Sequence, residues 1–147
     1  MKWAMLAAVI TVAFVTSVPA QDRPNFEGTW QIDTTRSKYY AGASLETITV
    51  VGSKMTISRT VAGNTAWTEY MLDGTPAKNL VGPAGKQIEM IYTSRWEGNA
   101  LITTIPALNR TERRSIEADG TMKVELTFDF LKENRSESTI KVFIRVE

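Results

Sequence analysis

The chain alternates between apolar and polar residues. Met122, Val124, Leu126, Phe128 and Phe130 fall on one parity, while Lys123, Glu125, Thr127 and Asp129 fall on the other. An extended backbone sends successive side chains to opposite faces, so a period of two describes strands with one apolar and one wet face. The same alternation puts Ile88, Met90, Tyr92 and Trp96 on one face, and Met55, Ile57 and Val61 on another. No stretch sustains the 3.6-residue apolar period of a helix. Turn signals cut the pattern at short intervals: Ala41-Gly42, Gly52-Ser53, Gly63-Asn64, Asp73-Gly74, Gly82-Pro83-Ala84-Gly85, Gly98-Asn99, Pro106, Asp119-Gly120 and Glu133-Asn134. Asp73-Gly74 and Asp119-Gly120 are the strongest hairpin signals, because Asp-Gly accepts the positive φ of a tight turn.

Ten strands are predicted, over residues 27–33, 44–51, 54–61, 65–72, 75–80, 86–96, 99–105, 108–118, 121–131 and 136–146. The connections are too short for the crossover that parallel neighbours need, so each strand is expected to pair antiparallel with the next. An open sheet of this size would expose two edges and a whole apolar face, and closure removes both problems. The predicted fold is all-β, an antiparallel up-and-down β-barrel of ten strands. A two-sheet sandwich is the alternative. A membrane-spanning barrel is excluded at 108–118, where Arg110, Glu112 and Arg114 share one face and Arg113 and Glu117 the other, so neither could meet lipid.

The first residues read differently. Met1-Lys2 is a short positive start, Trp3–Val15 is mostly apolar, and Val18 and Ala20 are compact residues placed for signal-peptidase cleavage. We expect a signal peptide over 1–20, cleavage between Ala20 and Gln21, a barrel domain over 21–147, and a secreted or periplasmic protein. The apolar run is shorter than the roughly 20 residues that span a bilayer. A retained anchor is the competing reading.

Composition narrows the function. The 147 residues include no Cys and no His, and 17 Lys and Arg stand against 16 Asp and Glu. Without His or Cys there is no Ser-His-Asp or Cys-His site, no thiolate nucleophile, and no imidazole- or thiolate-held metal or haem. No cofactor and no metal are expected. The balanced charge gives no footprint for nucleic acid. Catalysis would fall to carboxylates, Tyr, Lys, Ser or Thr, and the spacing of Asp33, Glu46, Glu69, Glu89, Glu112 and Glu125 singles out no acid–base pair.

Phe26-Glu27-Gly28-Thr29-Trp30 resembles the first strand of lipocalins and fatty-acid-binding proteins, which carry a Gly-x-Trp motif. The continuation Arg36-Ser37-Lys38-Tyr39 is similar to small secreted bacterial proteins classed as lipocalin-like. The resemblance implies that Gly28 lets the strand bend into the barrel and that Trp30 closes its floor. By position, Arg145 would be the late-strand arginine that lies over that tryptophan. It also implies a small apolar or amphipathic ligand inside. Three departures stand out. Thr34–Ala43 is too short for the helical lid of fatty-acid-binding proteins, and Lys132–Arg135 leaves no room for the lipocalin helix. In place of the carboxylate-binding Arg-x-Tyr stands Lys141-Val142-Phe143, on a strand whose Ile140, Val142, Ile144 and Val146 read as the inward face.

Arg110, Glu112 and Arg114 form the most informative cluster, on one strand face between Leu108 and Ile116. Two readings stay open. The face is solvated, with cross-strand pairs, or it turns inward, where Glu112 pairs with one arginine and leaves the other for an anionic head group. Arg59 shares the face of Met55 and Ile57 and is the third basic candidate. Met90, Tyr92 and Phe128 would line a cavity or fill the barrel. The expected function is binding of a small apolar or amphipathic ligand. The alternatives are a protein-binding or inhibitor module with a filled barrel and, third, a small cofactor-free enzyme.

Overall fold

A computed structural model describes residues 22–38 and 44–146. The expected signal segment, its cleavage point and Tyr39 of the lipocalin-like continuation lie outside the described residues. Ten strands follow one another: β1 (Gly28–Ile32), β2 (Ser44–Val51), β3 (Lys54–Val61), β4 (Asn64–Met71), β5 (Ala77–Val81), β6 (Ile88–Glu97), β7 (Ala100–Ile105), β8 (Arg110–Ile116), β9 (Met122–Phe130) and β10 (Arg135–Val146). They depart from the expected ranges by no more than two residues at either end. The largest trims sit at β8, which gives up Leu108 to a single 3-10 turn over Pro106–Leu108. A second such turn covers Leu131–Glu133, and each ends on an asparagine in the left-handed region, Asn109 and Asn134. Asparagine adopts that conformation more readily than other side-chain-bearing residues. Among the described residues there is no α-helix, and none long and apolar enough to cross a membrane.

The strands form one antiparallel sheet in the order β4-β3-β2-β1-β10-β9-β8-β7-β6-β5. The first and last strands pair directly, with Trp30 opposite Arg145 and Ile32 opposite Phe143. This is an up-and-down barrel without a helical lid among the described residues. One expectation fails. Not every strand pairs with the next: β4 and β5, joined by Asp73-Gly74, share no backbone ladder. The Asp73 carboxylate shapes that turn locally, accepting from the Thr75 amide at 3.0 Å and its hydroxyl at 2.7 Å. A turn signal therefore fixes where the chain reverses without forcing the flanking strands to zip.

A side chain holds that seam. Asn79 of β5 accepts from the Glu69 N–H at 2.8 Å through Oδ1 and donates to the Glu69 carbonyl at 2.9 Å through Nδ2. One carboxamide thus replaces a backbone rung, and Asn79 is 5% exposed. Beside it Tyr70 of β4 and Tyr92 of β6 meet edge-on with ring centroids 5.5 Å apart.

Register decides what the barrel contains. Trp30 faces Glu46, which faces Arg59, which faces Ala66. On the other side Leu101, Arg114, Val124 and Lys141 share a rung. At one end the interior is packed by Trp30, Ile48, Met55, Ile57, Met122 and Phe143. The segment before β1 seals it. Phe26 stacks on Trp96 and its carbonyl accepts from the Trp30 indole at 2.9 Å. The Arg145 guanidinium lies 4.5 Å from the Trp30 ring centroid and donates to the carbonyls of Glu27 and Asn25. Gly28 sits beneath it at φ +129°, where an added Cβ would approach Arg145 Nη1 to 3.1 Å. Among the described residues the other end is open, since Ala66, Ile88 and Glu137 occupy inward positions in the register yet are exposed.

The seam yields a test. Asn79→Ala leaves the amide and carbonyl of Glu69 without their partner, so the protein should lose about 1–3 kcal/mol of stability. Urea unfolding measures the loss, and hydrogen exchange at the Glu69 amide should accelerate more than exchange on β9 and β10.

Candidate functional site

The cluster on β8 turns inward. Glu112 is 5% and Arg114 2% exposed, and Arg110 is half-buried near the open end. The fold makes this unavoidable: β8 pairs with β9 so that Arg110, Glu112 and Arg114 stand opposite Phe128, Leu126 and Val124, which belong to the apolar core face. The solvated-face reading is therefore overturned by register. The partner of Arg114, however, comes from a strand that the sequence reading did not select.

That partner is Glu46 on β2, fully buried. Its Oε1 accepts from Arg59 Nε at 2.9 Å and Nη2 at 2.6 Å, and its Oε2 accepts from Arg114 Nη1 at 3.2 Å. Arg114 Nη1 also lies 3.1 Å from the Met122 sulfur. A second group forms around Glu112, whose Oε1 pairs with Arg110 Nη2 at 2.8 Å and whose Oε2 accepts from the Tyr70 hydroxyl at 3.1 Å. Arg110 Nε is buried with no hydrogen-bond partner among the described residues. On the same rung as Glu112, Ser94 and Thr103 bond to each other at 2.8 Å.

The electrostatics follow from burial against pairing. Desolvation pushes the Glu46 carboxyl upward, but Arg114 and Arg59 outweigh it and hold the pKa below its ordinary value. Desolvation likewise works against the Arg59 cation, and Glu46 reverses the sign, so Arg59 stays firmly protonated. Tyr70 is raised well above the usual phenol value by burial and by the neighbouring Glu112 charge, and Tyr92 is raised chiefly by burial. Both stay neutral hydrogen-bonding groups rather than phenolates at physiological pH.

The structure moves Lys141 inside. Ile140, Val142 and Ile144 do not form the inward face of β10. Phe143, at 1% exposure, stands opposite Met122, and Lys141 opposite Val124, so the odd positions point in. The apolar even positions misled the parity reading because Ile144 is an exposed outer residue and Ile140 and Val142 are only half-buried. Lys141 is half-buried, and desolvation together with Arg59 and Arg110 lowers its pKa, opposed by Glu46 and Glu112. It thus shares the interior with both carboxylates.

Of the other candidates, Met90 and Tyr92 are buried on the inner face of β6, and Phe128 is half-buried opposite Arg110. Gly28, Trp30 and Arg145 build the closed end. Arg59 faces inward, yet its side chain is 40% exposed because it looks out through the open end. Glu46 is the residue that sequence reasoning missed as part of this layer. Its signal was available, since it alternates with Ile48 and Val50 on β2. A separate groove of about 420 Å³ runs outside the closed end between Phe26, Val50, Leu72 and Trp96, away from the charged layer.

No protein-family model matches the chain, and no curated protein is similar to it in sequence. Solved structures do resemble it. The REP1-NXSQ fatty acid transporter superposes with a TM-score of 0.64 at 16% identity, over 82% of this chain and 96% of that one. The zebrafish ileal bile acid-binding protein, complexed with cholic acid, gives 0.62 at 15% identity over 82% and 98%. At such identities the likeness shows the fold. The shared architecture is an antiparallel β-barrel, and this chain has ten strands where lipocalins have eight.

Glu46 supplies the test of this layer. Glu46→Gln leaves Arg59 and Arg114 without their carboxylate and should cost about 3–5 kcal/mol at pH 7. The folded pKa of Glu46 lies below its ordinary value of 4.5. Its contribution is therefore complete above that value and lost as pH falls through the folded pKa. Urea unfolding of the two proteins should differ widely at pH 7, and the gap should shrink as the pH falls below the ordinary value of 4.5 and through the folded pKa.

Proposed function

We propose that this protein binds a small amphipathic anion inside the barrel, with the apolar part against the core walls and the head group at the charged layer. The observation that carries the reading is Arg110: a guanidinium near the open end, with Glu112 on one nitrogen and a buried Nε that has no partner among the described residues. A buried donor without an acceptor is costly, and a ligand oxygen would supply one. Met90, Tyr92 and Phe128 offer apolar and aromatic surface next to it, and Arg59 is reachable from solvent at the same end. Small-molecule sites commonly combine mostly apolar walls with a few placed polar groups. Of the fold neighbours, one is a fatty acid transporter and the other is complexed with cholic acid; both molecules are amphipathic acids, and that agreement supports the reading.

The same proposal takes residues 1–20 as a signal peptide and the mature protein, from Gln21, as secreted or periplasmic. N-terminal sequencing of the exported protein tests this, with Gln21 as the expected first residue. For the ligand, native mass spectrometry of the exported protein without detergent should show an adduct that vanishes on denaturation. Arg110→Ala should lower its occupancy several-fold while the circular dichroism spectrum stays that of a β-barrel. An adduct untouched by Arg110→Ala would remove the head-group role of this arginine.

A further inference from the structure

The charged layer does not balance. Four cations, Arg59, Arg110, Arg114 and Lys141, share the interior with two carboxylates, Glu46 and Glu112. Glu46 is engaged by two arginines, and Glu112 by Arg110 and the Tyr70 hydroxyl. Among the described residues Lys141 has no ion pair within 4 Å. Glu137 is the next acidic residue on the inner parity of β10, opposite Phe128, but it is exposed and pairs with Arg135. The layer therefore carries an excess of two positive charges.

Its donors are in surplus too. Arg59 uses Nε and Nη2 on Glu46, which leaves Nη1. Arg110 uses Nη2 on Glu112 and leaves Nε. Lys141 brings its ammonium. These three groups come from β3, β8 and β10, and face one interior. Arg59 and Lys141 are partly open to solvent and Arg110 is half-buried, so a ligand entering here would meet an uncompensated charge of two, and the size of that excess describes the ligand that would match it.

We infer that the head-group site is built for a dianion, and that a phosphate monoester fits it better than a carboxylate. The inference rests on the reading of the barrel as an amphipathic-anion binder. A phosphate monoester carries close to two negative charges at neutral pH and three terminal oxygens, one for each donor source. A carboxylate offers one charge and two oxygens. It would leave a cation in the layer unmatched.

Isothermal titration calorimetry at pH 8, on protein cleared of co-purified ligand, separates the outcomes. The probes are dodecyl phosphate, dodecyl methyl phosphate (a monoanion with the same tetrahedral head), dodecanoate and dodecanol. Dodecyl phosphate should bind at least tenfold tighter than either monoanion. Lys141→Met should reduce that preference to less than threefold, with dodecanoate affinity little changed and the thermal midpoint confirming a folded barrel. The comparison of probes on the unaltered protein stands even if this variant does not fold. A monoanion binding as tightly as dodecyl phosphate overturns the dianion inference and leaves the amphipathic-anion reading intact. Dodecanol matching all three overturns the head-group role of the layer as well, and binding of none removes the barrel-binding reading itself.

Discussion

The charged layer inside the barrel hangs on one carboxylate. Glu46 is fully buried, and it holds the arginine of β3 on one oxygen and an arginine of β8 on the other. Two neighbouring strands, β2 and β3, are thereby joined across the interior to the distant β8, by ionic hydrogen bonds stronger than neutral ones. Such a buried group is not a cheap source of stability, because desolvation opposes it at every charge. It acts instead as a constraint. Once Glu46 points inward, Arg59 and Arg114 must point at it, and an apolar filling of the middle of the barrel is ruled out.

That constraint separates the interior into unlike parts. One end is packed with large apolar side chains and sealed by Phe26, Trp30 and Arg145, whose guanidinium joins the aromatic ring to two backbone carbonyls. The middle holds the charges. Among the described residues the far end is open, and inward-facing Ala66 and Ile88 are exposed there. A polar layer between an apolar floor and an open mouth gives an amphipathic molecule two kinds of surface, and gives water access to the cations that need it.

The barrel wall is incomplete at one seam, and closure there depends on geometry of another kind. Asn79 bonds both backbone groups of Glu69 in the way a neighbouring strand would, so β4 and β5 are held side by side without a ladder. Away from that clasp the outer faces of the same two strands carry Trp67 and Leu80 exposed. The seam is where the fold keeps fewest backbone bonds, and local opening is easiest where such bonds are few.

Much of this was legible in the residues. Period-two alternation and the glycine and asparagine turns placed ten strands to within two residues, because both signals act locally: side chains alternate on any extended backbone, and a tight turn needs particular φ values wherever it occurs. The short connections dictated antiparallel order for the same reason. What no local signal carried was which parity faces in when both faces are mixed. On β8 each face holds charges, and on β10 the greasier parity is the outer one, so Arg110, Lys141 and their neighbours could be placed only by the strands they pair with. The missing β4–β5 ladder was hidden too, since the Asp73-Gly74 turn reads the same with or without it. By itself the sequence determined the number of strands and their antiparallel succession, while the closing of one end by Trp30 was implied only by a resemblance. The tertiary structure alone decided that Glu46 meets Arg59 and Arg114, because that meeting spans 68 residues of chain between Glu46 and Arg114 and exists only once register has been set across the closed sheet.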